Sequence, residues 1–306
     1  MQNKRMLIPT KVKTTLEEMN LLDRFLFNET VEDIEVYNAM VEILMDGNVI
    51  MMDWSETEKE FRVSPQLREV RLDVIGADIS GELYQLEMQK NNKYNLPKRS
   101  RYYQAQIDVS LLEPGSGDFN KLNDLTTILV APFDIFGYDL YRYTFEEYCR
   151  EVPGLKLEDG ARRIFINTKG KNREGFSKEF LDFMEYVNAT TDEVASKSQS
   201  PRIKKIHDRV CNVKKSEKVG VKLMQAWEEL YYEKLEAREA GLEEGRKEGR
   251  KEGRIEGLEE GRKAGLEEAK IEVIKNMLCK KVPMEQIVEY VGVPLDLVVK
   301  VSKEID

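Results

Sequence analysis

Apolar positions along the chain fall into two rhythms. Between residues 15 and 46, Leu21, Leu22, Phe25 and Leu26 make one stripe, and Tyr37, Met40, Val41 and Leu44 recur at helical spacing until Asp46-Gly47 stops the pattern. VIMMDW (49–54) and EFRV (60–63) then read as short strands. In REVRLDVIGADISGELYQLEMQ, Val70, Leu72, Val74, Leu83 and Leu86 alternate with polar residues around the turn-forming segment Asp78 to Gly81, which predicts a β-hairpin.

After the hairpin, LPKRSRYYQAQIDVSLLEPG has a proline near its start, apolar Tyr103, Ile107 and Leu111, and a terminating Pro-Gly, so it reads as a helix. The apolar run from Thr126 to Phe133 reads as a buried strand, DLYRYTF and RRIFINTKG as two more, and 176–188 and about 201–235 as helices. The order of helix, three strands, helix and strand predicts an α/β core with a mixed sheet.

Strand alternation aims Glu87 and Gln89 at one side of the hairpin and Met88 at the other. Asp73 lies on the preceding strand, near the level of Glu87, with the pairing parity open by one residue. A β-bulge at Gly76 or Gly81 would decide whether the two acids share a face. Two carboxylates held close together repel unless a cation lies between them, and oxygen ligands of this kind suit magnesium or manganese. From spacing alone, decoration of a solvent-facing ribbon is the simpler account. The following segment, KNNKYNLPKRSRYYQ, changes the balance, because Lys90, Lys93, Lys98, Arg99 and Arg101 come without an acidic residue and with Tyr94, Tyr102 and Tyr103 interleaved. Such a segment could hold phosphates and bases beside a metal. Tyr103, on the apolar stripe, is expected to pack in the core.

Composition narrows the chemistry further. With 41% hydrophobic and 34% charged residues, the chain is globular rather than disordered. Its net charge of −9 argues against coating nucleic acid by bulk charge, so the local basic segments 90–104 and 197–215 matter more than the sum. The single histidine, His207, rules out a zinc site with two histidine ligands and any triad using another histidine. It sits in a basic helical context with no nucleophile beside it in sequence. Cys149, Cys211 and Cys279 are far apart, fit reduced thiols, and form no zinc motif by spacing. No apolar run reaches bilayer length and the start lacks signal-peptide character, so no membrane association and a cytoplasmic location are expected.

The segments LLDRFLF (21–27), RLDVIGADISGELYQLEMQ (71–89), LPKRSRYYQAQID (96–108), APFDIFGYDLYRYTF (131–145), DGARRIFINTKG (159–170) and the terminal EGRKEGRKEGR together resemble the PD-(D/E)XK nuclease family transposases, also described as the Rpn family of recombination-promoting nucleases. The resemblance implies a restriction-endonuclease-like core, a mixed sheet flanked by helices, and a Mg²⁺- or Mn²⁺-dependent DNA endonuclease linked to recombination or transposition. It also implies that Asp73 and Glu87 are the metal-binding acids and that Asp23 corresponds to an auxiliary helical ligand. Gln89 takes the place where the wider superfamily keeps lysine. An amide orients water but supplies no positive charge, so the alternative is a catalytically weak or inactive DNA-binding or oligomeric scaffold.

A glycine returns every fourth residue from Gly241 to Gly265. Four residues turn a helix by about 400°, so the glycine stripe winds by about 40° per repeat. Each interior glycine costs about 1 kcal/mol relative to alanine, which predicts a weak isolated helix helped by pairs such as Glu244 with Lys247 and Glu248 with Lys251. The stretch reads either as a solvated spacer or as a coiled-coil-like surface for a second copy, making a homo-oligomer. The last segment reads as three short helices with Gly292 between the final two, similar to a helix-turn-helix. Few of its side chains suit base readout, which favours packing or oligomerisation. The expected divisions are a nuclease-like domain at 1–235, a repeat spacer helix at 236–270 and a small all-helical module at 271–306.

Overall fold

The computed structural model describes residues 14–57, 60–61, 70–71, 74–112, 115 and 117–304, with backbone alone at 52–57, 60–61, 70–71 and 74. The chain divides into two units, Met1–Glu228 and Glu229–Asp306. In the first, the helices α1 (Arg24–Val31) and α2 (Ile34–Leu44) precede β1 (Met51–Thr57), a two-stranded ladder of β2 (Glu60–Phe61) and β3 (Val70–Arg71), and the hairpin of β4 (Val74–Asp78) and β5 (Leu83–Met88). Then come α3 (Leu96–Leu111), β6 (Leu125–Ala131), β7 (Arg142–Phe145), β8 (Ala161–Asn167), α4 (Lys178–Asn188), α5 (Asp192–Lys197) and α6 (Pro201–Lys215).

The main sheet runs β1-β4-β5-β6-β8-β7. Its outer pairs are antiparallel, whereas β5, β6 and β8 are parallel. The α3 crossover between β5 and β6 makes that parallel pairing reachable. This is the mixed sheet flanked by helices that the periodicity predicts.

Alternation along the strands sorts side chains into two cores. Tyr84, Leu86 and Met88 of β5, Ile128 and Val130 of β6, and Ile164 and Ile166 of β8 join the larger core with residues of α1, α2, α4 and α6, including Phe27, Met40, Phe180 and Ile203. A fully buried side chain of this kind contributes roughly 1.5–3 kcal/mol. On the other face, Ile75, Ala77, Leu83 and Leu125 meet Ile107 with Tyr103 and Leu111 of α3. Leu96, at the start of α3, packs on Leu129 and Phe165. Both faces of β5 are therefore covered, and every residue from Leu83 to Met88 is buried.

Gly76 marks no bulge, since the register of β4 and β5 is regular from Val74 opposite Leu86 to Ala77 opposite Leu83, whereas Gly81 holds the left-handed bulge position that follows a tight hairpin turn, its N–H on the Asp78 carbonyl and the Asp78 N–H on the Glu82 carbonyl, both at 3.0 Å. Gly76 is needed for another reason: a Cβ there would lie 2.4 Å from the Tyr37 ring. That close approach lets the Tyr37 hydroxyl donate to the Tyr84 carbonyl at 2.6 Å. A further irregularity lies between β1 and β4, where the register shifts between Met51 and Ser55. Gly81 closes the turn at φ 88°, while Asp78 Oδ1 accepts from the Ser80 and Glu82 amides at 2.9 and 3.0 Å.

The glycine repeat lies in one continuous helix, α7 (Glu217–Cys279), which starts in the first unit and continues through the second. Intrinsic propensity alone does not predict such continuity, and Lys247 pairs with Glu243 at the i,i+4 spacing, 2.8 Å, rather than with Glu244. The second unit has its own core, in which Ile274 near the end of α7 meets Ile287 of α8 (Met284–Val291) and Val298 and Val301 of α9 (Leu295–Ser302). Gly292, left-handed at φ 65°, ends α8 with its N–H on the Val288 carbonyl at 3.0 Å. Thus the first of the three expected terminal helices is the end of α7. Among the described residues, no helix is long and apolar enough to cross a membrane.

Candidate active site

The carboxyl end of β5 and the first turn of α3 build the site together. Met88 turns into the larger core, while Glu87 and Gln89 turn to the opposite face, toward α3. The apolar stripe Leu96, Tyr103 and Ile107 seats α3 on the sheet and brings Arg99 to face the strand end. The Arg99 guanidinium donates from Nη2 to both Glu87 Oε1 and Gln89 Oε1. Its Cζ lies 5.5 Å from the centre of the Tyr103 ring, one helical turn on. The glutamine amide is oriented from its other end, since Nε2 donates to the Asn91 carbonyl at 2.6 Å.

Two oxygens from different side chains thus converge on one cationic nitrogen. Burial gives that convergence weight, because the Glu87 side chain is 9% exposed and Arg99 18%. A carboxylate so placed is stabilised by a cation and costly to leave alone. The same pair of hard oxygens, one charged and one an amide carbonyl, fits a small divalent cation as a donor set.

Asp23, immediately before α1, is held by Lys90, whose Nζ is 2.7 Å from Asp23 Oδ1. Its other oxygen accepts from the Asn20 amide at 3.0 Å. Asp73 lies outside the described residues. Its chain neighbour Val74 pairs with Leu86, the neighbour of Glu87.

The basic residues of the segment divide into two groups. Lys90 and Arg99 are engaged by acids, whereas Lys93, Lys98 and Arg101 are exposed and make no ion pair among the described residues. Lys98, Arg101 and Tyr102 share the outward face of α3, while Tyr103 packs inward on the hairpin core. Tyr94, in the loop before α3, is 91% exposed and held at φ 54°, with its N–H on Asn92 Oδ1 at 2.8 Å. The second basic segment is partly tied up internally: Arg202 binds Glu42 and Glu179, Lys205 binds Glu35, and Arg209 binds the Glu29 carbonyl.

Sequence reasoning places Arg99 among the phosphate contacts and misses its pairing with Glu87 and Gln89. The signal is present in the stripe, since a helix seated on residues 96, 103 and 107 presents position 99 to the same side. Also missed are Gln85 and Thr127, neighbours across β5 and β6 on the site's face. Both are fully buried, with side-chain polar atoms that have no hydrogen-bond partner among the described residues.

Compared with known families, residues 20–223 match the family model described as PD-(D/E)XK nuclease family transposase. No significant match was found among curated proteins or among solved structures.

Proposed function

Since the chain belongs to the PD-(D/E)XK nuclease family transposases, we propose that it is a divalent-metal-dependent DNA endonuclease acting in recombination or transposition, centred on Glu87 and Gln89. The observation that carries this reading is the convergence of the Glu87 and Gln89 oxygens on one cationic nitrogen. Asp73 and Glu87 would hold Mg²⁺ or Mn²⁺, with Asp23 as an auxiliary ligand. When bound, the metal would polarise a phosphoryl oxygen and lower the pKa of the attacking water.

The chain's own residues divide the remaining work. Gln89 orients water but brings no charge, and Arg99, arriving from α3 beside it, supplies the positive charge that the strand lacks. A phosphate drawn to Arg99 would share the guanidinium with Glu87 through its several donors. Lys90, Lys93, Lys98 and Arg101 would hold the DNA backbone, and exposed Tyr94 and Tyr102 would stack against bases or sugars.

Magnesium-dependent nicking of supercoiled DNA tests the assignment. Wild type is expected to cut, and Glu87→Gln and Asp73→Asn to lose cutting while still binding DNA. Equal cutting by all three proteins after stringent purification would sink the proposal. A second reading, a DNA-binding scaffold without turnover, draws support from Arg99 already neutralising Glu87. It expects salt-sensitive binding with no metal-dependent nicking by any form. For the repeat at 236–270 we propose association with a second copy. The glycines create no close approach within the chain, since a Cβ on each would meet nothing within 4 Å.

A further inference from the structure

Three metal-ligating side chains meet where α5 and α6 join, away from the strand end. His207 and Cys211 are four residues apart on α6 and share one face, and Asp192 is the first residue of α5. Cys211 Sγ lies 3.5 Å from His207 Nε2. Asp192 Oδ1 lies 3.2 Å from the same nitrogen and 3.9 Å from the sulfur. Tetrahedral coordination at ordinary zinc bond lengths sets such atoms about 3.4–3.6 Å apart, and the three separations bracket that range.

The imidazole is also oriented from behind. Its Nδ1 is 3.0 Å from the hydroxyl of the fully buried Tyr186, whose ring stands edge-on to it at 83°. With Nδ1–H donating to the phenol oxygen, Nε2 turns its lone pair toward Cys211 and Asp192, the arrangement a metal-binding histidine uses. Burial and then the Asp192 carboxylate push the Cys211 thiol up. Lys214 and Lys215 act on the thiol in the opposite sense, but Lys214 Nζ bonds the Glu17 and Thr190 carbonyls at 3.1 and 3.4 Å.

We propose that Asp192, His207 and Cys211 form a three-ligand site for a zinc-class divalent cation, open at its fourth position and clamping α5 to α6. The donor set of one sulfur, one nitrogen and one oxygen selects a softer ion than the all-oxygen set at the end of β5. The Asp192 side chain is 93% exposed, so a cation reaches the site from solvent. On binding, the thiol proton leaves to solvent as the metal–sulfur bond forms. Spacing in the sequence hides the site because the third donor comes from another helix.

Titration of chelator-stripped, reduced full-length protein with Co²⁺ alone tests this by its thiolate-to-cobalt absorption. One saturable equivalent, displaced by Zn²⁺, is expected. Cys211→Ser should abolish the thiolate band, and Asp192→Asn, at an exposed position that leaves the fold intact, should weaken binding by at least about tenfold. Tyr186→Phe should cost about 10–100-fold through lost orientation of the imidazole. A Cys149→Ser/Cys279→Ser double variant and Glu87→Gln should both keep the band, which separates this site from the proposed nuclease centre. Absence of the band in wild type, or its survival in Cys211→Ser, would overturn the proposal.

Discussion

Arg99 and Glu87 meet from successive elements, the guanidinium in the first turn of α3 closing on the carboxylate near the end of β5, with both side chains largely withdrawn from water. Breaking such a pair leaves a charge in a poorly solvated place. Arg99→Leu is therefore expected to lower stability by about 3–5 kcal/mol in urea unfolding. A loss under about 0.5 kcal/mol, typical of exposed pairs, would show the site to be wetter than its geometry implies.

The same contact predicts a catalytic difference between two milder changes. Arg99→Lys keeps the charge but loses the additional donors and the contact with the Tyr103 ring, and should retain only part of the nicking activity. Arg99→Gln removes the charge and should cut the rate by about 10²–10³ at saturating magnesium. If both variants match wild type, the positive charge in the mechanism comes from elsewhere.

Gly76→Ala should destabilise by about 1–3 kcal/mol, because the added methyl meets the Tyr37 ring at 2.4 Å. Thermal unfolding of the single variant beside Gly76→Ala/Tyr37→Leu checks the cause. The double variant should be less destabilised than the sum of its parts.

Asp108, half-buried on α3, has its carboxyl pushed up by burial and by the nearby Asp159 carboxylate. The folded state therefore holds this proton more tightly than the unfolded chain, and stability falls as pH rises from the ordinary carboxylate range through the raised folded value. Asp108→Asn should accordingly stabilise the protein near neutrality, with the difference closing on acidification. Denaturation midpoints across that pH range give the answer, and an advantage confined to acid pH would contradict the sign.

Within α7, Gly249→Ala and Gly253→Ala should each add about 1 kcal/mol to helix stability, since the new methyl has open space around it. Circular dichroism melts measure that gain. Sedimentation of the same full-length variants asks a separate question: if the glycine stripe seats a second copy, the assembly should weaken while the helix strengthens.

The hairpin, the α3 crossover and the buried β6 were legible because each carries a local period, and Glu87 and Gln89 share a side by alternation alone. Contacts between elements left fainter traces. Arg99 reads as one cation among five until α3 is seated on Leu96 and Tyr103. Gly76 looks like a bulge residue because its true constraint, Tyr37, lies in a helix before β1. The repeat presents a third case, in which summed propensities argue for a weak helix and α7 nonetheless runs unbroken from Glu217 to Cys279. Asp73 lies outside the described residues, and its role as a metal ligand belongs to the proposal.

The acid, the amide, the guanidinium and the exposed tyrosines before and on α3 all lie between Leu83 and Tyr103, anchored at the helix start by Leu96 against Leu129 and Phe165. Apart from Asp73 and Asp23, the proposed site thus comes from one uninterrupted stretch, whose parts are gained and lost together. Local opening of its outer part, from Gln89 through the first turn of α3, would take Gln89 and Arg99 away from Glu87 while the buried β5 stayed paired on both sides, so activity in such a protein would be governed by a small ordering equilibrium at the start of α3.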